Sequence, residues 1–138
     1  MKNNHNSKTT KPIDWDLCVE IIGGNTELAE RLLCKFIEHI DKIKTEFRGL
    51  VDVLQSGEDI NYESLEFKLH GLKGSSYYCG VQKLIEIIVD LECALSGIET
   101  VEIENMHEKR YKIECLLIDI EKEIDRIIYC YKSSEYLL

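Results

Sequence analysis

Apolar residues recur every three or four positions along most of the chain after residue 12, which is the spacing of amphipathic helices. No sustained alternation of apolar and polar residues with a period of two occurs, so a β-sheet is not expected. The longest helical stripe consists of Leu28, Leu32, Phe36, Ile40, Ile43, Phe47, Leu50 and Leu54. The pattern predicts an all-α protein.

Residues that start or stop helices divide this pattern into five segments. Asp14 is the expected N-cap of a short helix that Gly23 and Gly24 end. Four longer helices are expected at about residues 25–55, from 61 to a break within 74–80, at 81–95 and at 102–131. Such segments with short connections predict an antiparallel four-helix bundle over residues 13–138, with a short N-terminal helix laid across one end. Residues 1–12 are polar and are expected to form a mobile tail.

Composition narrows the classes of function. The 138 residues carry 17 Lys and Arg against 26 Asp and Glu, a net charge of -9 that disfavours nucleic acid and anionic membranes as partners. No apolar run is long enough for a membrane span and no signal-peptide core is present, which predicts a soluble, cytoplasmic protein. The six cysteines form no Cys-x-x-Cys pair and are expected to be reduced structural thiols.

The segment from His70 to Ser76 stands out chemically. Successive helical residues are about 100° apart, so His70 lies off the core face of the third helix and faces solvent. Lys73 follows within reach of the same patch, and Gly74 comes one turn after His70, at a cost in helix propensity of roughly 1 kcal/mol. The expected core face consists of Leu65, Leu69, Leu72 and Ser76. A glycine at this place indicates that another molecule approaches the histidine closely.

A neutral histidine in this setting is a candidate nucleophile toward an acyl phosphate. The product, a phosphohistidine, would carry added negative charge that Lys73 can offset. The gap at Gly74 would admit the donor protein, and Gln82 at the start of the next helix is a candidate to hydrogen-bond the imidazole.

These residues resemble the signature of histidine-containing phosphotransfer (HPt) domains. The resemblance is carried by His70-x-Leu72-Lys73-Gly74-Ser75-Ser76, followed by Gly80, Gln82 and Leu84. It extends upstream to Ile13-Asp14-Trp15, Gly23-Gly24-Asn25 and the stretch from Leu33 to Phe36. It covers about residues 13–98, and the last helix matches by pattern only. Gly71 departs from the family, which often has a larger residue after the histidine.

The resemblance implies a phosphocarrier that takes a phosphoryl group from a receiver-domain aspartate onto His70 and passes it to another receiver. It implies supporting roles for Lys73, Gly74 and Gln82, no cofactor on this chain, and Mg²⁺ on the partner receiver alone. The implied partners are receiver domains of hybrid sensor kinases and response regulators, and the expected state is a monomer. The candidate docking residues are Leu17, Ile21, Leu33, Phe67, Lys68 and Lys83.

Other interpretations fit the sequence less well. Glu104 and His107 match one half of a di-iron bundle motif, but no second Glu-x-x-His is present, so no metal site is expected. A histidine-kinase dimerisation domain usually has an acidic residue after its histidine and a nearby proline, whereas this chain has Gly71 and only Pro12. It has no glycine-rich ATP-binding boxes, so autokinase activity is not expected. The remaining alternative is a helical adaptor that binds a receiver or a kinase without phosphotransfer.

Overall fold

The computed structural model describes residues 11–138 and consists of helices joined by short turns, with no β-strand in that range. A short helix α1 precedes four longer ones, and two single-turn 3₁₀ helices lie at Ile98–Thr100 and Glu135–Leu137. The five α-helices are α1 (Trp15–Ile21), α2 (Thr26–Gln55), α3 (Tyr62–Tyr77), α4 (Gln82–Leu95) and α5 (Ile103–Lys132). The all-α prediction is confirmed. The predicted mobile tail lies outside the described residues except for its last two positions.

The first three helices start at side chains that cap them. Asp14 accepts a hydrogen bond from the backbone N–H of Leu17 at 3.1 Å. Asn25 caps α2 and Asn61 caps α3 in the same way, at 3.0 and 2.9 Å. Each cap satisfies an N–H group that the helix leaves without a partner, and such a cap stabilises a helix by about 1 kcal/mol. These local signals explain why the three starts were predictable from the sequence.

The four long helices form an up-down-up-down bundle. Polar contacts between α2 and α5 fix their relative direction, because the residue number on α5 falls as that on α2 rises. These pairs are Lys44–Asp125 at 2.9 Å, Arg48–Glu121, and Gln55–Glu114 at 3.1 Å. In addition, α4 packs against both α3 and α5. Each long helix contributes fully buried side chains to one core, for example Phe47, Leu69, Ile88 and Ile124.

The third helix ends at Tyr77, within residues 74–80 where its end was expected, and it continues through Gly74, Ser75 and Ser76 before that end. The Ser76 hydroxyl is buried and donates to the Leu72 carbonyl at 2.7 Å, so it needs no partner outside its own helix. Ser75 donates to the same carbonyl at 3.1 Å. The polar run therefore stays helical, and α3 continues without interruption from its cap at Asn61 to Tyr77.

The short helix α1 is attached to the turn between α3 and α4. The Asp14 N–H donates to the Gly80 carbonyl at 2.8 Å, and the Cys18 thiol donates to the Tyr78 carbonyl at 3.3 Å. Trp15 packs edge-on against Tyr136 with their ring centroids 5.3 Å apart, which joins α1 to the C-terminal 3₁₀ helix as well. As predicted, α1 lies across one end of the bundle.

No helix in residues 11–138 combines the length and the apolar character that a membrane span requires. All six cysteines are free thiols. Burial raises the pKa of the Cys79 thiol to about 12 and also raises that of Cys18 and Cys130. Because a reactive cysteine needs its thiolate form, these three buried thiols are packing groups.

Two carboxylates of α5 are buried, Glu121 and the more deeply buried Glu123. Glu123 is 3 % exposed, and its Oε1 accepts a hydrogen bond from Arg126 at 2.7 Å. Within the described part of the chain, its Oε2 has no hydrogen-bond partner. Burial raises the pKa of this carboxyl above its ordinary value of 4.5, so folding favours the protonated form.

We expect Glu123→Gln to raise the free energy of unfolding at pH 7 by about 1 kcal/mol, because it removes a buried charge. The gain should shrink as the pH falls toward 4.5, since the wild-type carboxyl then takes up its proton in the folded state. Urea unfolding at several pH values from 7 to 5 measures this difference. The exposed Glu104→Gln variant is the control and should change stability little. A loss of stability in Glu123→Gln at pH 7 would contradict the argument.

Candidate functional site

His70 lies in the middle of α3 and is exposed to solvent. The opposite face of the helix is its core face, where every residue is at most 1 % exposed. That face consists of Leu65, Leu69, Leu72 and Ser76, as the sequence predicted. The imidazole is therefore presented outward by a helix that is held from behind by the core.

Gly74 follows His70 by one turn, on the same outward side of α3. A Cβ built at Gly74 meets no atom within 4 Å, so nothing inside the protein requires a glycine there. A glycine in a helix interior costs about 1 kcal/mol relative to alanine. The space beside the imidazole is thus left open at a cost in stability.

Lys73 is held by a residue of the neighbouring helix. Its Nζ lies 2.7 Å from Oε1 of Glu92 on α4, and both side chains are 25 % exposed. This hydrogen bond raises the pKa of Lys73, so the ammonium stays charged at physiological pH. Sequence reasoning missed Glu92, although its place beside buried Leu91 puts it at the border of the core face of α4.

Gln82 is not brought to His70. It is the first residue of α4, so it lies beside the C-terminal end of α3. His70 is seven residues before that end, about 10 Å further along the helix axis. The tight turn between the two helices places later residues of α4 opposite the histidine, and the expected hydrogen bond from Gln82 therefore has no support in the structure.

The candidate docking residues separate into two groups. Phe67 is 82 % exposed one turn before His70, and Ile21 on α1 is 42 % exposed, with Leu17 half-buried beside it. Leu33 corrects the prediction, because it is 0 % exposed in the core and cannot touch a partner. The helical stripe of α2 begins one residue later than the sequence reading assumed, at Ala29 and Leu33.

The two candidate lysines lie on other sides of their helices. Lys68 faces α2, where it forms an ion pair with Glu46 at 2.8 Å, about 160° around α3 from His70. Lys83 lies on the side of α4 opposite to Glu92, because nine helical residues correspond to two and a half turns. Its positive charge lies close enough to Glu123 on α5 to offset part of the rise that burial causes in the pKa of that carboxyl. Of the lysines proposed to offset charge, Lys73 is the one that the structure places beside the His70 turn.

Two exposed tyrosines were not anticipated. Tyr77 and Tyr78 are 53 % and 55 % exposed at the C-terminal end of α3, about two turns beyond His70. Together with Phe67 they form an aromatic face that flanks His70 on both sides along the helix. The sequence could have revealed this face, because positions 67, 74 and 78 share the side of α3 that lies opposite its core residues.

A groove of about 270 Å³ lies between α2 and α3 next to the aromatic face. Its lining is formed by Leu32, Lys35, Phe36, His39, Ser75, Tyr78 and Cys79. Tyr78 belongs to both features, so the groove extends the aromatic face toward α2. A larger cavity of about 800 Å³ lies at the start of α5, toward the end of the bundle opposite to α1.

In the part of the chain from residue 11 onward, no group of three or more His, Cys, Asp or Glu side chains is arranged to hold a metal ion. Comparisons with protein family models, with curated proteins and with solved structures found no match to this chain.

Proposed function

We propose that this protein is a phosphocarrier of the HPt kind, which accepts a phosphoryl group from a receiver-domain aspartate onto His70 and passes it to the aspartate of a second receiver. The observation that carries the proposal is the pairing of an outward histidine with Gly74, whose open side-chain position lies one turn away. Lys73 on the same part of α3 supplies a positive charge beside that space.

The chemistry needs no group beyond these residues and the partner. The unprotonated ring nitrogen of His70 attacks the phosphorus of an aspartyl phosphate, and an N–P bond forms as the P–O bond to the aspartate breaks. The electron pair of that bond stays on the aspartate carboxylate, while the other ring nitrogen keeps its proton. In the second step an aspartate oxygen attacks the same phosphorus, and the N–P electron pair returns to the imidazole.

The surroundings of His70 are suited to a protein donor. The aromatic face of Phe67, Tyr77 and Tyr78 offers apolar area on both sides of the histidine, and such side chains dominate the energetics of many interfaces. The net charge of -9 would repel an acidic receiver, so attraction has to come from this local surface and from Lys73.

The test of the proposal is transfer of label from phosphorylated receiver domains. We expect at least one receiver in a panel to lose its phosphoryl group to this protein, with the label located at His70 by mass spectrometry at neutral pH. A receiver that binds the protein without transfer would favour the adaptor alternative. Absence of transfer from every receiver would overturn the phosphocarrier proposal.

Gly74→Ala separates stability from transfer. The alanine meets no atom within 4 Å, so we expect the free energy of unfolding to rise by about 1 kcal/mol through better helix propensity. Transfer from a receiver should slow at least about tenfold, because the methyl group occupies space that the donor needs. Gly49→Ala, at an exposed and equally open position of α2, is the matched control for stability and should leave transfer unchanged. Equal transfer rates in the two variants would show that the donor does not approach over Gly74.

A further inference from the structure

We propose that two copies of this chain associate through the N-terminal part of α5, with Ile103 of each copy seated in a cavity of the other. We call residues 103–112 the projecting segment. This inference goes beyond the proposed phosphocarrier function and does not depend on it. It replaces the monomer that the sequence led us to expect.

The projecting segment extends past the end of the neighbouring helix α2. Gln55 is the last residue of α2, and its Nε2 donates to Oε2 of Glu114 at 3.1 Å. Because α5 begins at Ile103, about 16 Å of this helix lies beyond that contact. The loop after α2 follows α5 as far as Arg110, whose guanidinium donates to the Glu58 carbonyl at 2.7 Å. The first two turns of α5 therefore lie beyond the reach of α2.

The same segment combines an exposed apolar side chain with a cavity. Ile103 is 93 % exposed and Tyr111 is 64 % exposed. A cavity of about 400 Å³ lies between the end of α2 and α5, and its walls include Leu54, His107 and Tyr111. Exposed apolar surface of this kind, next to an open cavity, marks an interaction site. The cavity is large enough to receive an isoleucine side chain.

A two-fold axis that passes near His107 makes these two features complementary. Residues 103, 107 and 111 follow each other at intervals of four and share a side of α5. In an antiparallel pair of projecting segments, position 107 faces its own copy, and positions 103 and 111 face each other. Ile103 of one copy then lies over the Tyr111 ring of the other, which is a wall of the cavity. The contact occurs twice, as an interface with two-fold symmetry requires.

The charges of the segment have the same symmetry. Glu102 and Glu104 lie at the start of α5, whereas Lys109 and Lys112 lie about two turns later. An antiparallel pair places the acidic start of one copy opposite the basic turn of the other, and a parallel pair would place like charges together. Within residues 11–138, neither Glu104 nor Lys112 forms an ion pair inside its own chain.

These observations favour a second copy as the partner. One segment supplies the apolar side chain, the cavity that receives it and both signs of charge, so two copies satisfy each other. The net charge of -9 repels two chains at long range, and the local complementarity of charge offsets this repulsion. About three turns of helix on each copy bury less than about 1,200 Å² in total, which is the size of a weak, transient interface.

The pairing leaves both copies of His70 accessible. Lys44 of α2 lies opposite the middle of α3, level with His70, and pairs with Asp125 at 2.9 Å. Asp125 lies about 27 Å from His107 along α5. The interface and the proposed phosphorylation site are therefore separate surfaces.

Sedimentation velocity measures the association. We expect the mass of the wild-type protein to rise from that of one chain toward that of two as the concentration increases from about 10 μM to about 1 mM. Ile103→Glu should weaken the association at least about tenfold, because a charged side chain loses its hydration in the cavity. Tyr129→Glu changes another exposed apolar residue of α5 and is the matched control, which should associate as the wild type does. Circular dichroism should show the same helix content in all three proteins, since both positions are exposed.

Reversal of charges tests the direction of the pair. The variant with Glu102→Lys and Glu104→Lys, and the variant with Lys109→Glu and Lys112→Glu, should each associate less than the wild type. An equal mixture of the two should associate at least as tightly as the wild type, because each basic segment then faces an acidic one. Carbodiimide coupling of mixed ¹⁴N- and ¹⁵N-labelled wild-type protein should join Glu104 of one copy to Lys109 or Lys112 of the other.

A mass of one chain at every concentration would overturn the proposal. Association that Ile103→Glu leaves unchanged, or that Tyr129→Glu weakens equally, would overturn it as well, since the interface would then lie elsewhere. Cross-links from Glu104 that form only within one chain would exclude the antiparallel pair. The phosphocarrier function is decided separately, by transfer of label to His70.

Discussion

His70→Gln is expected to take up no detectable phosphoryl group from any phosphorylated receiver, while it keeps the fold of the wild-type protein. An amide has no ring nitrogen with a free electron pair for attack on phosphorus, so the N–P bond cannot form. The side chain at position 70 is exposed and outside the core stripe of α3, and the free energy of unfolding should therefore change by no more than about 0.5 kcal/mol.

His107→Gln is the matched control, because it replaces another exposed histidine of a bundle helix, on α5. It should accept the phosphoryl group at the wild-type rate. Circular dichroism and urea unfolding of both variants exclude misfolding as a cause. If His70→Gln accepts as much phosphoryl as the wild type, another residue is the acceptor and the site described above is wrong.

Gly80→Ala is expected to lower the free energy of unfolding by about 3 kcal/mol or more. Gly80 has a φ of +64°, a conformation that side chains with a Cβ rarely adopt. A Cβ there would also overlap the backbone carbonyl oxygen of Asp14 and lie 3.1 Å from its carbon. Backbone cannot rotate away as a flexible side chain can, so α1 would have to leave its position at the turn.

Gly57→Ala provides the comparison for this variant. Gly57 has a φ of +92°, but a Cβ at that position meets no atom within 4 Å. Its alanine variant therefore measures backbone strain alone, about 1–2 kcal/mol, and the excess in Gly80→Ala measures the clash with Asp14. Urea unfolding of both gives the two values. Equal losses would show that the contact between the turn and α1 contributes nothing to stability.

The helix boundaries were predictable because the signals that set them are local. The caps Asp14, Asn25 and Asn61 each bond within three residues of their own position, so the sequence alone contains both partners. The outward direction of His70 followed in the same way from the spacing of the core residues on α3. The end of α3 at Tyr77 also falls within the range expected from the sequence, and Ser75 and Ser76 remain helical before it because they bond back to Leu72.

Relations between helices were less accessible, since they depend on how far one helix is shifted along another. That shift decides that Glu92 reaches Lys73, whereas Gln82 lies beside the end of α3. Nothing within α4 alone shows which of these two residues contacts Lys73. Leu33 was misassigned to the surface. The stripe predicted from the sequence begins at Leu28 and Leu32, whereas the buried residues at the start of α2 are Ala29 and Leu33, one position later.

The hydrogen bond between Asp14 and Gly80 joins two positions that are far apart in the sequence. Such a link closes a long loop, so we expect α1 to dock after the α3–α4 hairpin has formed the turn that receives it. The chain has one tryptophan, Trp15, and it lies on α1 against Tyr136. We therefore expect its fluorescence to report the docking of α1, whereas far-ultraviolet circular dichroism is dominated by the four long helices. A difference in time between these two signals during refolding would measure how long the bundle exists before its end is covered.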